Sequence, residues 1–403
     1  MAVTNYTTLS VLSEALKTEY LDVLTKFINE SSGPFLALID KGNHQMANKD
    51  AFTWFMKYGS SAGIKNIAED GTFGTPGGRK FKQASAAVVN MSGPFAITHK
   101  AIHVTKNDKR SIVEALTTQM EDLSNDFRQQ MRRQIFGTAT GVMGTTKAVT
   151  DSVVVGLEDD VNISIFKPGL VIDVLDKTDP TTAKKAGVEI VGIDRDARTL
   201  TVSEALTAVE GDLITIEDSY GIEMTGIEDI MTKNTPIYGI DRNNAAYKFL
   251  NPFVQALTTS GNADIDLKDF DAMIDDIDDL FGEQVDYIQG QKGPIGNYVE
   301  ALRRYNVNVE TQRFEAGRKV IKYNDISIAK ESHAKPNTMD FLTTKHFKLA
   351  YVGNKMYDWM DEEGSILKQL GRRPIYEAFL IGYMNLLCFM PSAQGRLTNI
   401  NEY

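Results

Sequence analysis

The sequence predicts an α+β protein carrying an inserted small β-barrel or sandwich, on three observations. A Gly-rich, basic hairpin signal spans Gly71 to Lys106, one long amphipathic helix follows at once, and short β-rich runs recur through 151–229. At 403 residues and 42% hydrophobic content the chain can bury a sizeable core, and its length favours two or three domains.

The first element is a segment from Ser10 to Ser31 that sets Leu12, Leu16, Leu21, Leu24 and Ile28 along one side. The hairpin comes next. Gly71-Thr-Phe-Gly74-Thr-Pro-Gly77-Gly78 is turn material, Phe81 to Thr105 has the β-branched content of paired strands, and Gly93-Pro94 marks a bend between them. From Gly71 to Asn107 there are five basic residues (Arg79, Lys80, Lys82, Lys100, Lys106) and no acidic one, in a chain of net charge -11. An isolated hairpin is marginal in water, so this one is expected to lie on another surface.

Asn107 or Asp108 would cap the helix and Gly137 would stop it. Ile112, Leu116, Met120, Leu123, Phe127, Met131 and Ile135 recur at spacings of three and four, the stripe of a packed helix face. From Asp151 to Asp229 there are 18 acidic against 6 basic residues, and short strands alternate with turn signals such as Asp179-Pro180 and Gly211-Asp212. That evenness reads as a separate β-module inserted into a host domain.

Leu267, Phe270, Ile274, Ile277 and Leu280 predict a helix with a solvated acidic face, capped by Asp266. Its aspartates lack the Gly and Glu of a calcium loop. Gly296 to Tyr305 and Val320 to Ala329 continue an α/β texture, Phe341 to Val352 reads as one strand, and Ala378 to Met390 as a buried strand. This last run is too short to cross a bilayer. Cys388, inside it, is the only cysteine, so a structural thiol is expected and no cofactor is implied. The start shows no secretory signal, which places synthesis in the cytoplasm.

Catalytic signatures are sparse. His99 and His103 fall in a strand pattern, where four residues span about 13 Å, too far to share a zinc ion. There is no P-loop, dinucleotide fingerprint or nucleophile elbow. Arg128, Arg132 and Arg133, with Arg303-Arg304 and Arg372-Arg373, are the small basic clusters open to a polyanion, and a solvated helix face explains them equally well.

Taken in order, these elements resemble the tailed-bacteriophage major capsid proteins of the Hong Kong 97-like fold. The hairpin Gly71 to Lys106 is similar to the family's extended loop, Asp108 to Phe136 to its spine helix, and Tyr376-Glu-Ala-Phe379 to Gly395 to the returning strand of its peripheral domain. Asp358 to Gly364 resembles a late segment of these proteins. The resemblance implies an N-terminal arm over 1–60, an extended loop over 61–106 and a peripheral domain with spine helix over 107–150. An inserted domain would cover 151–229, an axial domain with remaining peripheral elements 230–375, and the returning strand with the C-terminus 376–403.

The resemblance further implies a shell subunit, not an enzyme, that forms hexamers and pentamers around double-stranded DNA held by weak, non-specific contact. Arg79, Lys80, Lys82 and Lys100 would contact a neighbouring subunit, and Ile112, Leu116, Met120, Leu123, Phe127 and Met131 would pack the spine helix. The subunit would assemble in the host bacterial cytoplasm, end in the virion and need no membrane. Without a long N-terminal scaffolding extension, the resemblance implies either a separate scaffolding protein or a chain seen after cleavage, and the start at Met1 favours the first; a portal and decoration proteins are further expected partners. Lys80 and Lys82 sit where cross-linking members carry a loop lysine, without an assignable Asn or Glu partner. The alternatives are an encapsulin-like nanocompartment shell, which would hold protein cargo, and a cytosolic hydrolase using a carboxylate pair.

Overall fold

Apolar alternation and one long helical stripe sort the chain into three hydrophobic cores. The computed structural model describes residues 33–44, 46–47, 50–58, 66–73, 80–100, 109–304, 311–313, 319–323, 326–361, 366–369, 371 and 373–402. The segment from Ser10 to Ser31, Arg79, His103, Lys106, Arg372 and the helix caps Asn107 and Asp108 lie outside them.

The first core forms around the strand Ile375–Cys388, whose aromatic and aliphatic residues alternate across a six-stranded sheet. Val89–Thr98 pairs with it antiparallel from Thr98↔Ile375 to Val89↔Met384, and Phe347–Tyr351 lines its other edge. A short helix, α1 (Pro34–Leu38), buries Phe35 and Leu36 in this core. The long helix α2 (Lys109–Phe136) crosses the sheet; its 28 residues span about 42 Å at 1.5 Å each. Leu123, Phe127, Met131 and Ile135 of the expected stripe face the core, with the Phe127 ring edge-on to Tyr357 at 5.2 Å. The side chains of Ile112, Leu116 and Met120 lie outside the described set, although their backbone is helical.

A further helix, α3 (Ile227–Met231), starts against the end of α2. A Cβ on Gly226 would lie 2.6 Å from the Gln134 carbonyl oxygen, so only glycine permits the approach. The second core lies between a seven-stranded mixed sheet and two helices, α4 (Leu267–Phe281) and α5 (Lys292–Arg304). Phe270 of α4 stacks on Tyr298 of α5 at 4.4 Å and meets Phe341 of the sheet at 5.1 Å. Asp266 caps α4 and Gly282, at φ 65°, ends it. Phe270, Met273 and Ile277 are its buried residues, whereas Leu280 is exposed.

The third core fills a six-stranded antiparallel sheet reaching from Gly144 to Ile216. Its end strands, Gly144–Thr145 and Val149–Gly156, are joined by a Thr146↔Leu157 bridge, so the sheet curls back on itself. Val155, Leu157, Val174, Ile190, Leu200 and Ile214 fill its interior.

Four expectations need correction. Lys80–Ala87 does not pair with the strand after it: its partner is Ala51–Tyr58, from Tyr58↔Lys80 to Ala51↔Ala87. The hairpin therefore spans 51–87, including residues assigned to the arm, while Val89–Thr98 belongs to the first sheet. Gly93 and Pro94 make no bend but sit mid-strand. A Cβ on Gly93 would meet Leu123 Cδ1 at 3.0 Å and Phe127 Cδ2 at 2.8 Å, so the missing side chain admits the long helix. Phe341 to Val352 is two strands, because the 3₁₀ turn Thr344–His346 carries the chain between sheets. Asp286 accepts from the Thr344 N–H at 2.8 Å, and Gln394 from the Thr343 N–H at 2.9 Å, which fixes that crossing. Finally, the segment after Cys388 leaves the returning strand's sheet, since Gly395–Thr398 pairs inside the seven-stranded one.

Candidate assembly surface

The hairpin is the element whose residues the fold leaves unfinished. In Ala51-Phe-Thr-Trp-Phe-Met-Lys-Tyr58 apolar residues occupy both alternate sets. Phe52, Trp54 and Met56 point inward and are buried; Phe52 pairs with Ala86 and Trp54 with Ala84, large against small. The Trp54 ring meets Tyr238 at 4.8 Å and Phe389 at 5.8 Å, and the Ser85 N–H donates to the Tyr238 carbonyl at 2.9 Å. These contacts seat the root of the hairpin on the first core.

The opposite set faces solvent. Phe55 is 71% exposed and Phe81 57%, and the register Phe55↔Gln83 and Lys57↔Phe81 makes them diagonal neighbours on one face. Phe73, in the turn region, is 87% exposed. Phe55 and Phe81 together form an exposed apolar patch on the outer face of the hairpin.

The basic residues expected here are divided. Lys80 is exposed at the start of its strand, beside Phe81. Lys82 belongs to the inner set and is half-buried, its ammonium 5.7 Å from the centre of the Tyr247 ring in the same chain. Lys100 is exposed but lies past Thr98, beyond the next strand. The four therefore do not form one patch, and aromatic side chains dominate the exposed face. Sequence reasoning passed over Phe55, Phe73 and Phe81. The available signal was Phe55, a large aromatic in the alternate set that Thr53 and Lys57 assign to solvent.

At the hairpin root a groove of about 490 Å³ opens between Ser85–Asn90, Gly221–Thr225 and Tyr238–Gly239. Asn385 braces it, donating to the Ala87 carbonyl at 2.7 Å and accepting from the Thr225 N–H at 2.9 Å. Ile222 stands on its rim, 64% exposed.

Behind the groove the charged groups are paired inward. Arg133 is 6% exposed and bonded to the buried Glu223, and Arg132 reaches Glu331 at 2.6 Å, so neither forms a solvated basic face. Arg396 bridges Asp340 at 2.5 Å and Glu228, which Lys335 also meets at 2.8 Å. Burial alone would raise the Glu228 carboxyl, but Arg396 and Lys335 outweigh it and hold it at about 2. Burial raises its neighbour Asp229 from 3.8 to about 6, despite hydrogen bonds from the Ala139 and Gly226 N–H groups. Among the described residues no group of three or more His, Cys, Asp or Glu is placed to hold a metal ion, and no helix is long and apolar enough to cross a membrane.

No protein-family model and no curated protein sequence matches the chain. Solved structures do. The capsid asymmetric unit of cyanophage A-1(L) aligns over 91% of this chain and 93% of that one, at 11% identity and a TM-score of 0.56. The capsid of Myoviridae phage XM1 aligns over 90% of both chains at 7% identity and 0.42. An encapsulin complex from Synechococcus elongatus covers 92% and 89% at 7% identity and 0.45. The alignment to the cyanophage capsid carries the assignment: this chain has a phage-capsid fold of mixed α+β content, mostly strands with few helices.

Proposed function

We propose that the chain is the major capsid protein of a tailed bacteriophage, which assembles through hexamers and pentamers into an icosahedral head around double-stranded DNA. The observation that carries the reading, beside the fold, is the exposed face of Phe55 and Phe81 on a hairpin already packed along its other side, with Phe73 exposed in the chain between its strands. Covering each of those rings on a neighbouring copy would contribute about 1.5–3 kcal/mol, repeated at every contact of a lattice. Head-to-tail contacts of this kind close into rings.

In this reading 51–87 is the extended loop and α2 with the first sheet makes the peripheral domain. The second core is the axial domain and the curled sheet over 144–216 an inserted domain, facing outward because its acidic surface repels packaged DNA. Lys80 would contribute at the rim of the loop contact. The role is structural and non-catalytic; assembly takes place in the host cytoplasm, with a scaffolding protein, a portal and decoration proteins as partners. Negative-stain electron microscopy of the expressed chain tests it. Closed shells or ring-shaped capsomers are expected, and a Phe55→Asp/Phe81→Asp double variant is expected to fold yet form neither. Uniform small particles from the parent chain, or intact shells from the double variant, would overturn the reading. DNA inside the shells, in place of protein cargo, separates a virion from a nanocompartment.

A further inference from the structure

Three stretches of chain far apart in sequence meet around a cavity of about 310 Å³. The long helix α2 supplies Asp126, Gln129 and Arg133, the curled sheet supplies Lys167 and Gly169, and the turn after Ile326–Lys330 supplies His333. The Asn162 amide fastens the sheet to that turn, donating to the Ser332 carbonyl at 2.7 Å and the Ala334 carbonyl at 3.1 Å.

The polar groups lining the cavity are rich in donors and short of acceptors. Among the described residues Lys167 has no ion-pair partner, and His333 is engaged only through Nδ1, which lies 3.1 Å from Ser332 Oγ. Gln129 adds an amide. Arg133 is tied to Gln130 at 2.9 Å and to Glu223, so it contributes chiefly its field. Burial, with Arg132, Lys167 and Arg133 acting on the ring, holds His333 down at about 3, so its imidazole stays neutral at ordinary pH. A cavity whose surroundings resist one more positive charge favours an anion.

Asp126 restricts which anion can enter. A carboxylate on the same wall repels an anion unless that anion brings a proton for it to accept. Inorganic phosphate keeps such a proton at neutral pH, whereas sulfate and the phosphodiesters of nucleic acid have none.

We propose that this cavity is a binding site for inorganic phosphate, Lys167 Nζ and His333 Nε2 donating to its oxygens and Asp126 accepting its hydroxyl hydrogen. The ion joins α2, the curled sheet and the turn at one point, so it acts as a removable pin between that sheet and the rest of the subunit. The site does not depend on the shell reading.

Equilibrium dialysis of radiolabelled phosphate against the full chain, with chloride setting the ionic strength, tests it. Saturable binding of one ion per chain is expected. Lys167→Ala, at an exposed position, is expected to weaken it by about tenfold with the urea midpoint unchanged, and His333→Ala to weaken it likewise. Sulfate and dimethyl phosphate are expected to leave the bound phosphate in place. Asp126→Asn, whose amide can donate, is expected to let sulfate compete about tenfold better. No retention above the chloride blank, retention unchanged in Lys167→Ala, or displacement from the parent by sulfate as readily as by unlabelled phosphate would overturn the assignment.

Discussion

Gly93 is the position where the first sheet and the long helix come closest, and Gly93→Ala measures how tightly they are fitted. The added methyl would sit 2.8 Å from Phe127 Cδ2 and 3.0 Å from Leu123 Cδ1, and would overlap Phe127 Cε2. The ring has little room to withdraw, because Tyr357 lies edge-on behind it at 5.2 Å and Phe127 is only 3% exposed. Overpacking of this kind costs about 1–3 kcal/mol. The overlap with the Phe127 ring sets the cost at the upper end of that range, and alanine in a strand interior recovers about 0.5–1 kcal/mol of backbone entropy relative to glycine, which leaves a net loss of about 2–2.5 kcal/mol. The molecule supplies its own probe: both tryptophans, Trp54 and Trp359, are buried in the first core and none lies in the other two. Urea unfolding followed by tryptophan fluorescence therefore reports this core directly. Phe127→Leu in the Gly93→Ala background should recover at least about 1 kcal/mol of coupling energy. A Gly93→Ala midpoint equal to the parent's, or strict additivity in the double variant, would refute the packing argument.

Three further outcomes follow from the same geometry. Asp229 has its folded pKa raised to about 6, so its contribution is full below about pH 4 and is lost as the pH rises through 6. Asp229→Asn keeps an oxygen for the Ala139 and Gly226 N–H groups and should flatten that loss, gaining up to about 3 kcal/mol over the parent at pH 8 and little at pH 4; urea midpoints at the two values check it. Arg133→Ala strands the carboxylate of Glu223 in the interior and should cost about 3–5 kcal/mol, more than the loss from replacing both partners by apolar residues, as a double-mutant cycle would show. Leu200→Ala, at a fully buried position of the curled sheet, should cost that sheet about 2–5 kcal/mol. Hydrogen exchange is expected to speed up in strands 171–216, with the tryptophan transition unmoved; a shift in that transition would show that the first and third cores unfold together.

Elements with one strong period were legible from the sequence. The stripe Leu123, Phe127, Met131 predicted the packed face of α2, and the apolar run around Ala378 predicted the strand at the centre of the first sheet. Partner choice was not legible. Lys80–Ala87 and Val89–Thr98 are adjacent in sequence and both alternate, yet one pairs with Ala51–Tyr58 and the other with Ile375–Cys388, nearly 300 residues away. Alternation fixes which face is buried but not against what. Gly93-Pro94 misled for a related reason: the dipeptide has turn chemistry, and only the helix packed above it explains the glycine. The basic residues drew attention to the hairpin because charge is visible as composition. Its aromatic face became visible once the register showed Phe55 and Phe81 on the side away from Trp54.

The central strand of the first sheet and an inner strand of the seven-stranded sheet come from the same late stretch of chain. Ile375–Cys388 is flanked on both edges in the first sheet, and Gly395–Thr398 lies between Phe253–Ala256 and Met339–Leu342 in the second. A ribosome that has made the hairpin, the long helix and the curled sheet has thus still not delivered the strand that Val89–Thr98 must join. The first sheet cannot close until residue 388 emerges, nor the seven-stranded one until 398, and the hairpin root lacks Asn385 and Phe389 until the first of these is complete. Long-range pairing of this kind is slow. The arrangement amounts to a timer: the first core, and with it the seat of the hairpin, is completed only after translation has passed Phe389.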